Sequence, residues 1–227
     1  MIENYDDFVR ELLRAGFSFG GADAHIFSLI GNNWNEAGLL RWHTGDPETD
    51  PWEWRMRVLE ERDDIAYAKV FFKKSGFITK EWYPYFLAVR RGGSTFNEAY
   101  QAGTISHYAK RIYEAVSTHG SLPTEDLKRE AGFGREDKSK FDAALTDLQM
   151  KFYLTISGQQ RRFQKTGEEY GMPSTVFCTT EQFWGESDVF AQAAQLSEHE
   201  AIQAITARVL ERNPAAQAKK IEKFVKG

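Results

Sequence analysis

The sequence predicts an α+β, predominantly helical fold made of winged-helix domains packed together, each a helix-turn-helix followed by a β-hairpin wing. Two observations lead there. Leu122 to Thr180 reads as helix, turn, longer helix and then two β-rich runs around a polar, basic tip. Ahead of it, Ile105, Tyr108, Ala109, Ile112, Tyr113 and Val116 recur at helical spacing and supply the helix that precedes such a unit. A scaffold of this kind points to nucleic acid more than to any other partner.

Composition bounds the rest. A chain of 227 residues with 41% apolar content can bury a substantial core, as one large domain or two small ones. Aromatic residues, 14% of the total, concentrate between Trp34 and Phe96, which predicts dense packing or an aromatic cleft there. A net charge of −4 argues against a general phosphate-binding coat and leaves room only for a local basic patch. The single cysteine, Cys178, excludes an intramolecular disulfide and a cysteine metal cluster. Residues 1 to 10 contain no run apolar enough for a secretion signal, and no stretch reaches the ~20 apolar residues that span a bilayer. A cytoplasmic protein with no membrane contact is expected.

Along the chain, Tyr5, Phe8, Val9, Leu12 and Leu13 form a stripe over residues 3 to 15, ending before Gly16. Asp50-Pro51-Trp52-Glu53 reads as a helix start, with Asp50 as N-cap and Pro51 at the first helical position, running to about Arg62. Ala66 to Lys73 is β-like, Lys74-Ser75-Gly76 suggests a turn, and Phe77 and Ile78 offer a return strand. Thr79 is read as the cap of a helix that is apolar on most sides and ends at Arg90-Arg91-Gly92-Gly93. Ser94 to Gln101 suggests a short helix. Beyond the wing, Ser197 caps a helix to about Arg212, which Pro214 terminates, and a basic helix follows from Ala215. The predicted organisation is a winged-helix-like domain over 1–93, a central winged helix over 94–184 and a helical extension over 185–227.

The binding surface follows from the same pattern. In the candidate recognition helix, Glu136 to Phe152, the stripe Phe141, Ala144, Leu145, Leu148 and Phe152 faces inward. Ser139, Ala143, Thr146 and Met150 are expected outward, flanked by Lys138 and Lys140. That outer face is not basic, so packing on a neighbouring domain competes with groove insertion. The wing carries Arg161, Arg162 and Lys165 interleaved with Gln159, Gln160 and Gln164. Such a tip can pair with phosphates and approach base edges, or be a solvated hairpin.

With these elements in order, the chain resembles the AlkZ-type winged-helix DNA glycosylases, and more closely the shorter AlkZ-related proteins. The likeness rests on Trp42 to Arg55, Tyr67 to Tyr85, Leu145 to Met150 and Gly158 to Arg162. It implies tandem winged helices around a concave face for double-stranded DNA, with removal of alkylated or cross-linked bases as the activity. Full-length glycosylases also carry a C-terminal β-barrel and a third winged helix, and Ser197 to Lys226 looks like a remnant of that third winged helix. The family's catalytic Gln-x-Gln or Gln-x-Asp motif is missing from the N-terminal half, so whether the chain is an enzyme stays open. By order along the chain its place falls near His43 to Asp46.

Cutting a base from its sugar develops positive charge on the ribose, which a carboxylate beneath the ring can stabilise while a second group handles the water. Asp46 and Glu48 supply carboxylates, His43 can exchange a proton near neutrality, and Trp42, Trp52 or Trp54 can stack on an extruded base. Each has a plainer reading: Asp46-Pro47 as a turn, Asp50 as a cap, His43 as a hydrogen-bonded structural residue. Trp52 and Trp54 project about 200° apart on a helix, so one of them belongs in the core. The five histidines show no metal-ligand spacing, and no phosphate loop or nucleophile elbow occurs, so no cofactor or metal is expected. A non-catalytic module that binds DNA or a protein partner is the alternative.

Overall fold

The computed structural model describes residues 2–30, 40–162 and 166–227 and is α+β with helices predominating. The chain forms two compact units, residues 1–93 with 187–227, and residues 94–186.

The first unit opens with α1 (Tyr5–Ala15), started by Asn4, whose side chain accepts the Asp7 amide, and ended by Gly16 at φ 88°. Glycine is required there twice over. A Cβ would strain the backbone and would lie 2.2 Å from the Trp82 ring. β1 (Phe17–Phe19) follows, then α2 (Pro51–Glu61), β2 (Ile65–Phe71) and β3 (Lys74–Thr79). β1 and β2 pair antiparallel with opposite edges of β3, in the order β1-β3-β2. The turn between β2 and β3 is Phe72-Lys73, at φ 51° and 62°, and Lys74-Ser75-Gly76 lies within the strand. Two successive left-handed residues match the twist of a tight hairpin, even without glycine.

α3 (Tyr83–Arg91) begins later than the sequence suggests. Pro84 decides this, because proline fits the first helical turn but removes a hydrogen bond and clashes further in. Thr79 is therefore the last residue of β3 and not a cap, and its hydroxyl is buried without a partner. The helix is sunk in an aromatic core, with Phe86 5.1 Å from Phe17 and 5.5 Å from Phe71, ring to ring.

In the second unit, α4 (Phe96–Gln101) is started by a Thr95–Glu98 capping box and α5 (His107–His119) by Ser106. Then come β4 (Leu122–Pro123), α6 (Thr124–Glu130), a single 3-10 turn over Arg135–Asp137, and α7 (Lys138–Met150). β5 (Leu154–Gln160), β6 (Ser174–Thr179) and α8 (Thr180–Trp184) complete the unit. β4 and β5 flank β6 antiparallel, in the order β5-β6-β4. Ile112, Val116, Leu127, Phe141, Leu148 and Phe152 fill the core. α7 stops because Phe152 turns left-handed at φ 61°, which lets the Tyr153 amide return to the Leu148 carbonyl. Ala143 is exposed as expected, whereas Met150, expected outward, is buried.

The chain then returns to the first unit through α9 (Val189–Gln195), α10 (Glu198–Arg212) and α11 (Ala218–Lys226). Ser197 and Glu200 form a capping box for α10. Phe224 of α11 enters the aromatic core, 4.5 Å from Phe71. The units thus share one strand order, with each short first strand pairing to the third. No helix among the described residues is long and apolar enough to cross a membrane.

Candidate base-excision loop and nucleic-acid interface

Residues 41–50, which lead into α2, are organised around the wholly buried carboxylate of Asp50. One of its oxygens accepts the Thr44 amide at 2.7 Å and the Gly45 amide at 3.0 Å, and the other accepts Trp52 at 2.8 Å. Left-handed φ values at His43 (61°) and Gly45 (76°) curl the backbone so that its amides converge on this one anion. Burial raises the Asp50 pKa, but the amides of Gly45, Trp52, Thr44 and His43 outweigh it and hold the carboxyl below its ordinary value. Asp50 is therefore more than the helix cap read from sequence.

The three candidate catalytic side chains are exposed and engaged separately. Asp46 accepts the Glu48 amide at 2.9 Å on one oxygen and the Thr49 hydroxyl at 2.7 Å on the other. These bonds lower its pKa, so it is an anion at neutral pH and a poor proton donor. Each of its oxygens retains a further lone pair. Glu48 is drawn to Arg57 at 2.8 Å, which also reaches Glu61 and the Pro47 carbonyl. His43 lies against Trp52, with ring centres 4.6 Å apart, and 6.2 Å from Trp42.

The tryptophans divide. Trp54 is wholly buried, stacked 5.1 Å from Phe8, with its indole N–H donating to the Pro47 carbonyl. No face is left for a nucleobase. Trp52 is half-buried beneath the Arg55 guanidinium, 3.2 Å from the ring centre, and Trp42 is half-buried.

In the second unit the candidate DNA contacts divide between the loop end of the β5–β6 hairpin and the first turn of α7. Arg161 pairs with Glu169 at 2.7 Å and Arg162 with Glu125 at 3.3 Å. Lys138 is exposed, and Lys140 pairs with Asp137 at 2.9 Å. Lys165 and Gln164 lie outside the described residues. Sequence reasoning passed over Tyr170 and Met172, which are 48% and 67% exposed in this hairpin. Two large side chains in a glycine- and proline-flanked polar run were the available signal. A cleft of roughly 530 Å³ at the loop end of the hairpin is lined by Glu125, Gln160, Arg161, Arg162, Tyr170 and Ser174, among others.

Among the described residues no group of three or more His, Cys, Asp or Glu side chains could hold a metal ion. Cys178 is buried in β6, which pushes its pKa up to about 12 and disfavours the nucleophilic thiolate.

The model of the AlkZ-related family matches residues 2–226. The chain belongs to that family. No curated protein and no solved structure matches it. Membership relates this AlkZ-related chain to glycosylase-like DNA-repair proteins.

Proposed function

We propose that this AlkZ-related protein binds double-stranded DNA through tandem winged helices, with the β5–β6 hairpin as the wing of the second. The observation that carries the reading is a pair of arginines, Arg161 exposed and Arg162 partly exposed, at the loop end of that hairpin. The hairpin follows α5, β4, α6 and α7 and pairs with β4, the element order of a winged helix, and the first unit repeats its strand order. Phosphate pairing releases counterions, so affinity for a fluorescent duplex should fall steeply with salt. An Arg161→Ala, Arg162→Ala variant should lower the salt slope by about 2. A flat salt response with no measurable affinity overturns the proposal and favours a protein partner, for which exposed Ala143 on α7 is a candidate contact.

Removal of damaged, alkylated bases is the second reading, with the 41–50 loop as its seat. Asp46, ionised at neutral pH, suits stabilisation of a developing sugar cation, and His43 is the nearby group for the water's proton. Its support is the family relation together with this chemistry. The test is the formation of abasic sites in alkylated duplex, with Asp46→Asn expected to abolish it. No base release from several lesions leaves a non-catalytic DNA-binding module. A cytoplasmic location belongs to the same proposal.

A further inference from the structure

We infer that the cleft at the loop end of the β5–β6 hairpin takes a single nucleotide whose base is unpaired. The inference rests on the DNA-binding reading and deepens it. The lining is chemically mixed: Arg161 and Arg162 each face an acid, Glu169 at 2.7 Å and Glu125 at 3.3 Å. Asp126 in the same cleft pairs with Arg129 at 2.7 Å. A site this close to neutral attracts a phosphate backbone less strongly than unpaired arginines would, since each cation already has a counter-charge beside it, so contacts other than charge must add to the binding. It suits a ligand that combines one negative charge with a large apolar face.

The remaining lining supplies that face and its polar edge. Tyr170 borders the cleft with 48% of its surface exposed, an aromatic side chain on which a base can stack without sequence preference. Ser174, from the first position of β6, also lines the cleft, and its hydroxyl is buried without a hydrogen-bond partner. A buried hydroxyl left unpaired is unfavourable, and rotation of the Ser174 side chain toward the cleft would let it pair with a nucleobase edge or sugar oxygen bound there. Gln160, at the end of β5, offers an amide donor and acceptor to the same ligand. At roughly 530 Å³ the cleft is of the size that holds small ligands. Its phosphate would be met by Arg161 or Arg162, which exchanges its one carboxylate for the ligand while the other ion pair persists.

The nucleotide could belong to a strand or be free, and the test separates the two. Binding is measured by anisotropy for a fully paired duplex, the same duplex with a one-nucleotide bulge, and one with an abasic bulge, with AMP as a free competitor. The bulged duplex should bind roughly tenfold more tightly than the other two, the size expected of one stacked base. Tyr170→Ala should erase that difference, Tyr170→Phe should keep it, and Ser174→Ala should shrink it several-fold. Displacement of the bulged duplex by AMP, lost in Tyr170→Ala, supports the cleft and assigns it to free nucleotides. Equal affinity for all three duplexes, with no AMP competition, overturns the cleft while leaving the DNA reading intact. Absence of any salt-dependent duplex binding, with AMP still bound, overturns the DNA reading instead.

Discussion

The Asp50 carboxylate accepts the Gly45 amide at 3.0 Å, and this bond ties the loop that precedes α2 to the first turn of the helix. Thr44 and Trp52 donate to the same carboxylate at 2.7 and 2.8 Å, so one buried anion sets both the helix start and the path of the candidate catalytic loop. The Asp50 amide also donates to the Asp46 carbonyl at 2.9 Å, so the backbone around His43 and Asp46 is held by the same residue.

Asp50→Ala should therefore destabilise the first unit by more than an ordinary lost cap. Removing an N-cap costs about 1 kcal/mol, and an amide left without an acceptor costs about 1–3 kcal/mol where it is buried and less where, as at exposed Thr44 and Gly45, water reaches it. An overall loss of roughly 2–4 kcal/mol in urea unfolding is expected, with faster amide exchange at Thr44 and Gly45. Asp50→Asn should lose less, because an amide oxygen still accepts on one side. A change within ~0.5 kcal/mol for the alanine variant would show that water replaces the carboxylate there.

The same bonds predict a pH dependence. The Asp50 carboxyl has its pKa lowered in the folded chain, so folding favours the anion. Its contribution is complete above the unfolded value near 4 and is lost as pH falls through the lower folded value. Thermal stability of the wild type should drop from about pH 4 downward, and Asp50→Asn should flatten that drop. An equal drop in both proteins assigns it to other carboxylates.

Much of this arrangement was legible in the sequence, and the rest was not for identifiable reasons. Asp50-Pro51-Trp52-Glu53 announced the start of α2 because capping is a local signal read from a few adjacent residues. The stripe Phe141, Ala144, Leu145 and Leu148 likewise reported the buried face of α7. Thr79 misled because a serine or threonine before an apolar run resembles a cap, and Pro84 was the stronger signal. Lys74-Ser75-Gly76 misled because glycine attracts a turn assignment, while the left-handed pair Phe72-Lys73 carries no compositional mark. The separation of Trp52 from Trp54 followed from helical geometry, but which one is buried depended on Phe8 of α1, far away in sequence. Ser174 and Tyr170 meet in one cleft only through strand pairing, which no local window contains.

Arg90 gives a third prediction. Its guanidinium donates to the Val225 carbonyl and, at 2.6 Å, to that of Phe224, so a cation sits at the C-terminal end of α11. Burial draws its pKa down to about 9, which leaves it charged at neutral pH. The favourable dipole interaction and the charged hydrogen bonds work together with the buried Ile221, Phe224 and Val225. Arg90→Met should destabilise by roughly 2–4 kcal/mol, with the carbonyls losing their donor. Hydrogen exchange should rise first in residues 218–226. Unchanged protection there would show that the aromatic packing of Phe224 alone holds the helix.

Glu125 and Glu169 give the last prediction, which concerns the proposed wing. Each neutralises an arginine that would otherwise face solvent, and both pairs are exposed, so each contributes no more than about 0–1 kcal/mol to folding. Replacing both by glutamine should barely alter stability. It should nevertheless strengthen binding to a paired duplex several-fold at low salt, because Arg161 and Arg162 no longer have to leave a carboxylate before meeting a phosphate. Screening shrinks the difference as salt approaches physiological strength, where charges more than about 8 Å apart scarcely interact. A duplex affinity that stays the same at every salt concentration would mean that these arginines do not meet the backbone, and the wing would lose its assigned role.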